Sequence, residues 1–349
     1  MEVIKLNVFK MKGWIYVFYS MVLLTNAYNM RSRQNEFLNC NKSIQSEDFK
    51  KNGTILSPLY PNNYPTSIIC EYTFRAQGHE RIQLKFTEMN LFYSSGDPND
   101  PFECSNDDSI KVIINIGDKE ESIGEFCGRK PPPQLMSNGQ RMKVIFKSES
   151  KDKEGTSKFA MEYSFRTDFG VRSNGNQDKR EVCKFMFHST VVSQGLFTSP
   201  NYGGLYPRNT KCEYIFVGRA NEVVQIKFPE FEVDGLNPRC EGHTKSDYVS
   251  FSNFLYAHDR KMPRYCGHKQ SYDPVISDNA FFKVIFESNE QYDATGFKGM
   301  YIFQEDEKTP TPPLESTIPE DSSSHVTASV TMVTIILLCN SVIEYLLIH

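Results

Sequence analysis

The sequence is short of tryptophan, of net charge and of helical periodicity, and these shortages limit what the protein can be. One Trp stands beside 26 Phe and 18 Tyr, so any core must rest on the other two aromatic residues. The formal net charge is -4, which provides no cationic surface for a nucleic-acid backbone and excludes that class of partner. Apolar residues between the two ends of the chain do not recur at the helical period, which favours a β-rich fold.

Sequence motifs for catalysis are absent as well. No His-Glu-x-x-His, no Gly-x-Ser-x-Gly and no phosphate-binding glycine loop occurs. The seven histidines are scattered and have no Ser or Cys nucleophile in their sequence context. We therefore expect no enzymatic activity and no small-molecule substrate.

Eight of the nine cysteines form two sets with the same order and nearly the same spacing. These sets are Cys40, Cys70, Cys104 and Cys127, and then Cys183, Cys212, Cys240 and Cys266. The sequence Gly53-Thr-Ile-Leu-Ser-Pro recurs as Gly195-Leu-Phe-Thr-Ser-Pro, which indicates one duplicated module. Four cysteines allow three pairings in each copy, and the spacing does not choose among them. Zinc is a poor alternative because no Cys-x-x-Cys or Cys and His cluster is present.

Short runs of alternating apolar and polar residues, such as Ile82 to Phe86 and Val224 to Phe228, predict β-strands in both copies. Together with Cys-x-Tyr-x-Phe, Cys-Gly and Val-Ile-Phe-x-Ser in each copy, these sequences resemble CUB domains over residues 40–166 and 183–304. The resemblance implies an all-β protein of two tandem CUB-type antiparallel β-sandwiches, joined by a linker at 167–182. It also implies that the first cysteine pairs with the second and the third with the fourth, each bond contributing about 3 to 4 kcal/mol.

The N-terminus predicts entry into the secretory pathway. Lysines at 5, 10 and 12 precede an apolar run that ends in Thr25-Asn-Ala27, as in a signal peptide. We expect cleavage after Ala27, which leaves residues 28–39 as an N-terminal segment. The alternative is a signal anchor that stays attached, but the run is short for a membrane span.

The C-terminus predicts attachment to the outer face of the plasma membrane. Residues 305–321 are rich in Pro, Thr and acidic residues and form a predicted stalk. Residues 322–349 read as a signal for a glycosylphosphatidylinositol anchor, with the lipid on Ser322 or Ser323 and the tail removed. A single transmembrane helix is the alternative, although no Lys or Arg follows the tail to hold its orientation.

Two asparagines stand in acceptor sequences for N-linked glycosylation. They are Asn41 in Asn-Lys-Ser and Asn52 in Asn-Gly-Thr. Both belong to the first copy, where sugars would favour one exposed face.

The family resemblance implies a calcium ion at one end of each sandwich. The implied ligands are Glu88, Asp108 and Glu149 in the first copy and Glu230, Asp247 and Asn289 in the second. Tyr60 and Tyr202 stand where the family places a supporting hydroxyl. Because Asn289 adds no charge, the first copy is the stronger predicted site, although Glu149 stands where the family usually has Asp. Without the resemblance, the favoured interpretation of these residues is solvated surface acids.

The resemblance also implies a role in binding other proteins. In the family the metal fixes the loops, and the remaining carboxylate oxygens accept hydrogen bonds from a lysine of the partner. Sequences such as Ser246-Asp-Tyr-Val and Arg264-Tyr-Cys-Gly are similar to invertebrate suppressor-of-lurcher and Neto-like proteins, which accompany ionotropic glutamate receptors. We therefore expect extracellular or membrane partners, ionotropic receptor subunits among them. An adhesion or matrix-organising protein and a regulator of a secreted protease are the alternatives.

Overall fold

The computed structural model describes residues 40–149, 157–236, 240, 244–255, 263–268 and 273–306. Within these ranges all the regular elements are β-strands, and no helix is long and apolar enough to cross a membrane. The predicted signal peptide, the N-terminal segment, residues 307–321 of the stalk and the anchor signal with Ser322 and Ser323 lie outside the described residues.

The first module forms two packed sheets from the strands before residue 167. These strands are β1 (Lys42–Gln45), β2 (Asn52–Leu56), β3 (Ile68–Arg75), β4 (Arg81–Asn90), β5 (Ser109–Ile116), β6 (Lys119–Cys127), β7 (Leu135–Met136), β8 (Arg141–Ser148) and β9 (Lys158–Arg166). One sheet has the order β1-β3-β8-β5-β6 and the other has the order β2-β9-β4-β7.

The second module repeats this arrangement. Its strands are β10 (Asn176–Gln177), β11 (Lys184–His188), β12 (Gln194–Thr198), β13 (Lys211–Val217), β14 (Glu222–Val233), β15 (Tyr248–Ser252), β16 (Arg264–Tyr265), β17 (Gly267–His268), β18 (Val275–Ile276), β19 (Phe281–Glu287) and β20 (Gly296–Glu305). The sheets have the orders β10-β11-β13-β19-β15-β16 and β12-β20-β14-β17, and β18 also pairs with β14.

Alternation along the strands builds the cores between the sheets. In β4, Ile82, Leu84 and Phe86 point inward and are buried, while the residues between them face outward. In the second module, Phe197 lies at the centre of the core, with the rings of Tyr214 and Phe216 at 4.9 and 5.3 Å between centroids. Phe and Tyr side chains therefore fill the cores of both sandwiches.

Most strand pairs are antiparallel, but one pair near the start of each module is parallel. β1 runs parallel to β3, and β11 runs parallel to β13. A parallel pair needs a crossover connection. β2 and β12 provide it, because each lies between its pair in sequence but in the opposite sheet.

Each sandwich is cross-linked by two disulfides. The pairs are Cys40 with Cys70, Cys104 with Cys127, Cys183 with Cys212 and Cys240 with Cys266. Their Cα atoms are 4.7 to 5.7 Å apart, within the usual range for a disulfide. The predicted fold class, two tandem β-sandwiches with two disulfides each, is confirmed.

Candidate functional site

A buried aspartate lies at one end of the first sandwich, immediately before β5. Asp108 is 0% exposed and accepts a hydrogen bond from the Tyr64 hydroxyl at 2.8 Å. Its other carboxylate oxygen accepts the Glu149 backbone N–H at 2.8 Å. The Tyr64 oxygen also accepts the backbone N–H of Phe92 at 3.2 Å. Asp108 and Tyr64 therefore link three loops by hydrogen bonds at this end of the sandwich.

The second module has the same arrangement immediately before β15. Asp247 is 0% exposed and accepts the Tyr206 hydroxyl and the Asn289 backbone N–H, both at 2.6 Å. Tyr206 in turn accepts the backbone N–H of Asp234 at 2.9 Å. Burial raises the pKa of Tyr206, so its hydroxyl stays protonated and donates.

These matching hydrogen bonds show that Phe92 of the first module and Asp234 of the second occupy equivalent positions. At this position the sandwich end around Asp108 differs from the sandwich end around Asp247. The second module has a carboxylate there and the first has an aromatic ring. Burial raises the pKa of Asp247 to about 6, and the nearby charges of Asp234 and Asp293 add to the rise. The pKa of Asp234 is also raised, first by partial burial and then by Asp293. Three carboxylates in the second module therefore lie close enough to repel one another.

The Arg208 side chain offsets part of this repulsion. The Arg208 guanidinium contacts Asp293 at 2.7 Å, and both side chains are mostly buried. We refer to Asp234, Asp247, Asp293 and Arg208 as the acidic cluster. Among the residues that the structure describes, no three Asp, Glu, His or Cys side chains are already grouped to hold a metal ion. The cluster is thus an acidic end held together by an arginine rather than a preformed cage.

The predicted ligand Glu88 lies elsewhere, beside a β-bulge in β4. Its carboxylate accepts hydrogen bonds from Lys158 and from Tyr60, both at 2.8 Å. These bonds, Lys158 first and Tyr60 second, lower the pKa of Glu88. Glu88 therefore stays ionised on the sheet surface, where Lys158 compensates its charge, and it shares neither partner with Asp108.

Glu230 repeats this contact in the second module, at the corresponding bulge of β14. It accepts a hydrogen bond from Tyr202 and lies 3.7 Å from the Lys298 ammonium. The structure therefore separates Glu230 from the acidic cluster, as it separates Glu88 from Asp108.

The third predicted ligand of each copy contacts the buried aspartate through its backbone only. The Glu149 side chain forms an ion pair with Lys147. The Asn289 side chain donates to the Lys245 carbonyl at 2.5 Å and accepts the Gln291 N–H at 2.6 Å. These side chains stabilise their own loops.

The sequence motifs do not single out Asp234 or Asp293, and for Asp234 the reason is a repeated spacing. Tyr202 and Glu230 are 28 residues apart, and so are Tyr206 and Asp234. Two tyrosines four residues apart thus face two acids four residues apart, and spacing alone cannot tell which pair flanks Asp247. Only the hydrogen bonds distinguish them.

The two predicted glycosylation sites are exposed on the first module. Asn41 precedes β1, and its side-chain oxygen accepts the Glu71 N–H at 2.7 Å. Asn52 opens β2, at the edge of its sheet. Exposure leaves both side chains open to modification, which stays a prediction.

The CUB domain family matches residues 40–163 and 183–301, and the chain belongs to this family. It is 25% identical to the dorsal-ventral patterning protein tolloid of Drosophila melanogaster over 280 residues, covering 72% of this chain and 25% of that protein. It is 27% identical to cubilin of Sus scrofa over 219 residues, covering 62% of this chain and 5% of that protein. The chain therefore spans a quarter or less of these relatives. Among solved structures, the CUB1-EGF-CUB2 domain of human MASP-1/3 is 20% identical with a TM-score of 0.29, covering 73% of this chain and all of that one.

Proposed function

We propose that this chain is a non-catalytic protein that binds other proteins outside the cell, through a calcium-dependent surface at the acidic end of its second module. The acidic cluster is the observation that carries the proposal. Neighbouring carboxylates whose pKa values are raised by burial and by one another are only partly compensated by Arg208. A divalent cation would relieve that repulsion.

The donor chemistry fits calcium, which takes carboxylate and carbonyl oxygens. Asp234, Asp247 and Asp293 would hold the ion, and it would supply positive charge that fixes the surrounding loops. Tyr206 orients Asp247 by its hydroxyl. Arg208 forms an ion pair with Asp293 in the structure, so calcium binding requires Asp293 to exchange this partner.

The first module supports calcium less well. The sequence alone favours the first module, because its third implied ligand is Glu149 rather than Asn289. In the structure, Glu149 pairs with Lys147, and Phe92 stands where the second module has Asp234. These contacts support placing the ion in the second module.

Carboxylate oxygens that a cation leaves free would accept hydrogen bonds from a lysine ammonium on the partner. Leu236 and Tyr292 flank the cluster in sequence and are 69% and 64% exposed, so apolar contact area lies beside the charges. A partner loop with a basic residue next to an apolar one would match this surface.

The finer role that we propose is an accessory protein of a membrane receptor or channel, displayed at the cell surface on a lipid anchor. This role rests on the similarity to suppressor-of-lurcher and Neto-like proteins and on the C-terminal sequence. Such a protein should be recovered with a multipass channel and should change its gating.

Proximity labelling at the surface of cells that express the full chain tests the proposal. We expect a set of labelled proteins that depends on calcium and is lost with Asp234→Asn or Asp247→Asn. Glu230→Gln is the matched control, since Glu230 lies on the same module outside the cluster, and it should label like the unaltered protein. Identical labelling by all variants, with and without a chelator, would contradict the proposed calcium-dependent surface.

A further inference from the structure

The segment between the modules packs as part of the second module. Phe169 is 0% exposed and belongs to the core of that module, together with Val171. β10 then adds a strand to the second module by pairing with β11. Phe169 has φ 55°, a conformation that is costly for an aromatic residue and persists only when its surroundings fix it. The connection is therefore held in place.

Asn201, in the second module, connects that module to the first. It is 0% exposed, and its side-chain oxygen accepts hydrogen bonds from Gln83 at 2.8 Å and Gln134 at 2.7 Å, both in the first module. Its side-chain nitrogen donates to the Gln134 carbonyl at 3.0 Å and to the Leu205 carbonyl at 2.6 Å. A carboxamide can make two bonds through each end, so Asn201 is fully satisfied.

The backbone adds a second connection beside Asn201. Leu205 donates its N–H to the Gln134 carbonyl at 2.9 Å, and its side chain packs against the core of the first module. Gly204 allows this approach, because an added Cβ would lie 2.1 Å from the Gln134 carbonyl oxygen. No other residue type fits there without moving the two backbones apart.

Apolar contacts complete the joining surface. Met136, from β7 of the first module, belongs to the buried core of the second. The Arg81 guanidinium stacks over Phe169 at 4.7 Å from the ring centroid. We call Gln83, Gln134, Phe169, Asn201 and Leu205 the intermodule contact.

We infer that the intermodule contact fixes the two CUB modules as one rigid body. Domains in one chain ordinarily move relative to one another unless their interface is well packed. Here the Asn201 side chain and the Leu205 N–H are hydrogen-bonded across the contact, and separating the modules would expose Phe169 and Met136. A partner therefore meets both modules at one fixed orientation, with the acidic cluster presented at a constant distance from the first module. This inference does not depend on calcium.

Hydrogen exchange of the Leu205 amide in the full-length protein measures opening of the contact directly. In the unaltered protein we expect this amide to be protected, because its acceptor is in the other module. Asn201→Ala removes three bonds that cross the contact, so Leu205 exchange should accelerate about 10- to 100-fold. Asn209→Ala is the matched control, since Asn209 also has a positive φ (49°) but is exposed, and it should leave Leu205 unchanged.

An unprotected Leu205 amide in the unaltered protein would overturn the inference, as would equal exchange in Asn201→Ala and Asn209→Ala. If Asn201→Ala also exposes the β14 amides, the second module has loosened. Gln83→Ala then decides, because Gln83 belongs to the first module. Faster Leu205 exchange with protected β14 amides in that variant supports a rigid contact, and unchanged Leu205 exchange overturns it.

Discussion

The charge on Asp247 should destabilise the calcium-free second module, and Asp247→Asn tests this. Burial and its acidic neighbours raise the pKa of Asp247 from 3.8 to about 6. Because the folded-state pKa is the higher one, the folded state binds the proton more tightly than the unfolded state does. The destabilisation of the folded state by ionised Asp247 is then absent below about pH 4 and fully present above about pH 6. A shift of about two units corresponds to roughly 3 kcal/mol.

The Asn side chain removes this charge but weakens the bonds from Tyr206 and the Asn289 N–H, which costs about 1 to 2 kcal/mol. With a chelator at about pH 7.5, we therefore expect a net gain of about 1 to 2 kcal/mol in the free energy of unfolding of the second module. At about pH 4 the sign should reverse, because the Asp247 carboxyl is then largely protonated and only the lost hydrogen bonding remains.

Urea unfolding of the full-length protein at both pH values, in the presence of a chelator, measures the change. Asp108→Asn is the matched control, because Asp108 has the same tyrosine and backbone contacts, and Phe92 occupies the position that Asp234 has in the second module. It should lose stability at neutral pH. An Asp247→Asn variant that is less stable than the unaltered protein at both pH values would refute the electrostatic reasoning.

Two further substitutions test the core of the second module and an ion pair of the first. Phe197→Ala should destabilise the second module by about 3 to 5 kcal/mol in urea unfolding, because it empties the centre of the aromatic core. Phe254→Ala, at a side chain 48% exposed, should change little, and equal effects would contradict the packing described. Burial raises the pKa of Glu80, but the bonds from Lys51 and Ser46 outweigh it and lower the pKa overall. Lys51→Met should therefore lower the free energy of unfolding by about 1 to 3 kcal/mol at neutral pH. The loss should become smaller as the solution is acidified below the ordinary pKa of Glu, because Glu80 is then protonated. Lys50→Met, at an exposed neighbour, should leave the free energy of unfolding unchanged.

Much of the fold could be predicted because its signals are local and repeated. Alternation in β4 and β14 marks which residues face the core, and the two sets of cysteines mark two equivalent modules. Cysteine pairing came from the family resemblance, since spacing alone allowed three arrangements. The structure confirms the tandem sandwiches.

The residues of the candidate site could not be predicted from the sequence in the same way, because they depend on which loops lie next to each other in the fold. Glu230 and Asp234 both follow a tyrosine at the same spacing, and only the Tyr206 hydroxyl shows which acid lies beside Asp247. The intermodule contact was equally hidden. Phe169 and Val171 are two buried residues in a loop, and two such residues produce no period in the sequence.

Calcium titration of the full-length protein by isothermal calorimetry tests the central claim most directly. We predict one ion bound per chain in the second module, with binding lost in Asp234→Asn and retained in Glu230→Gln. No binding by the unaltered protein, or undiminished binding by Asp234→Asn, would contradict the assignment of calcium to the acidic cluster.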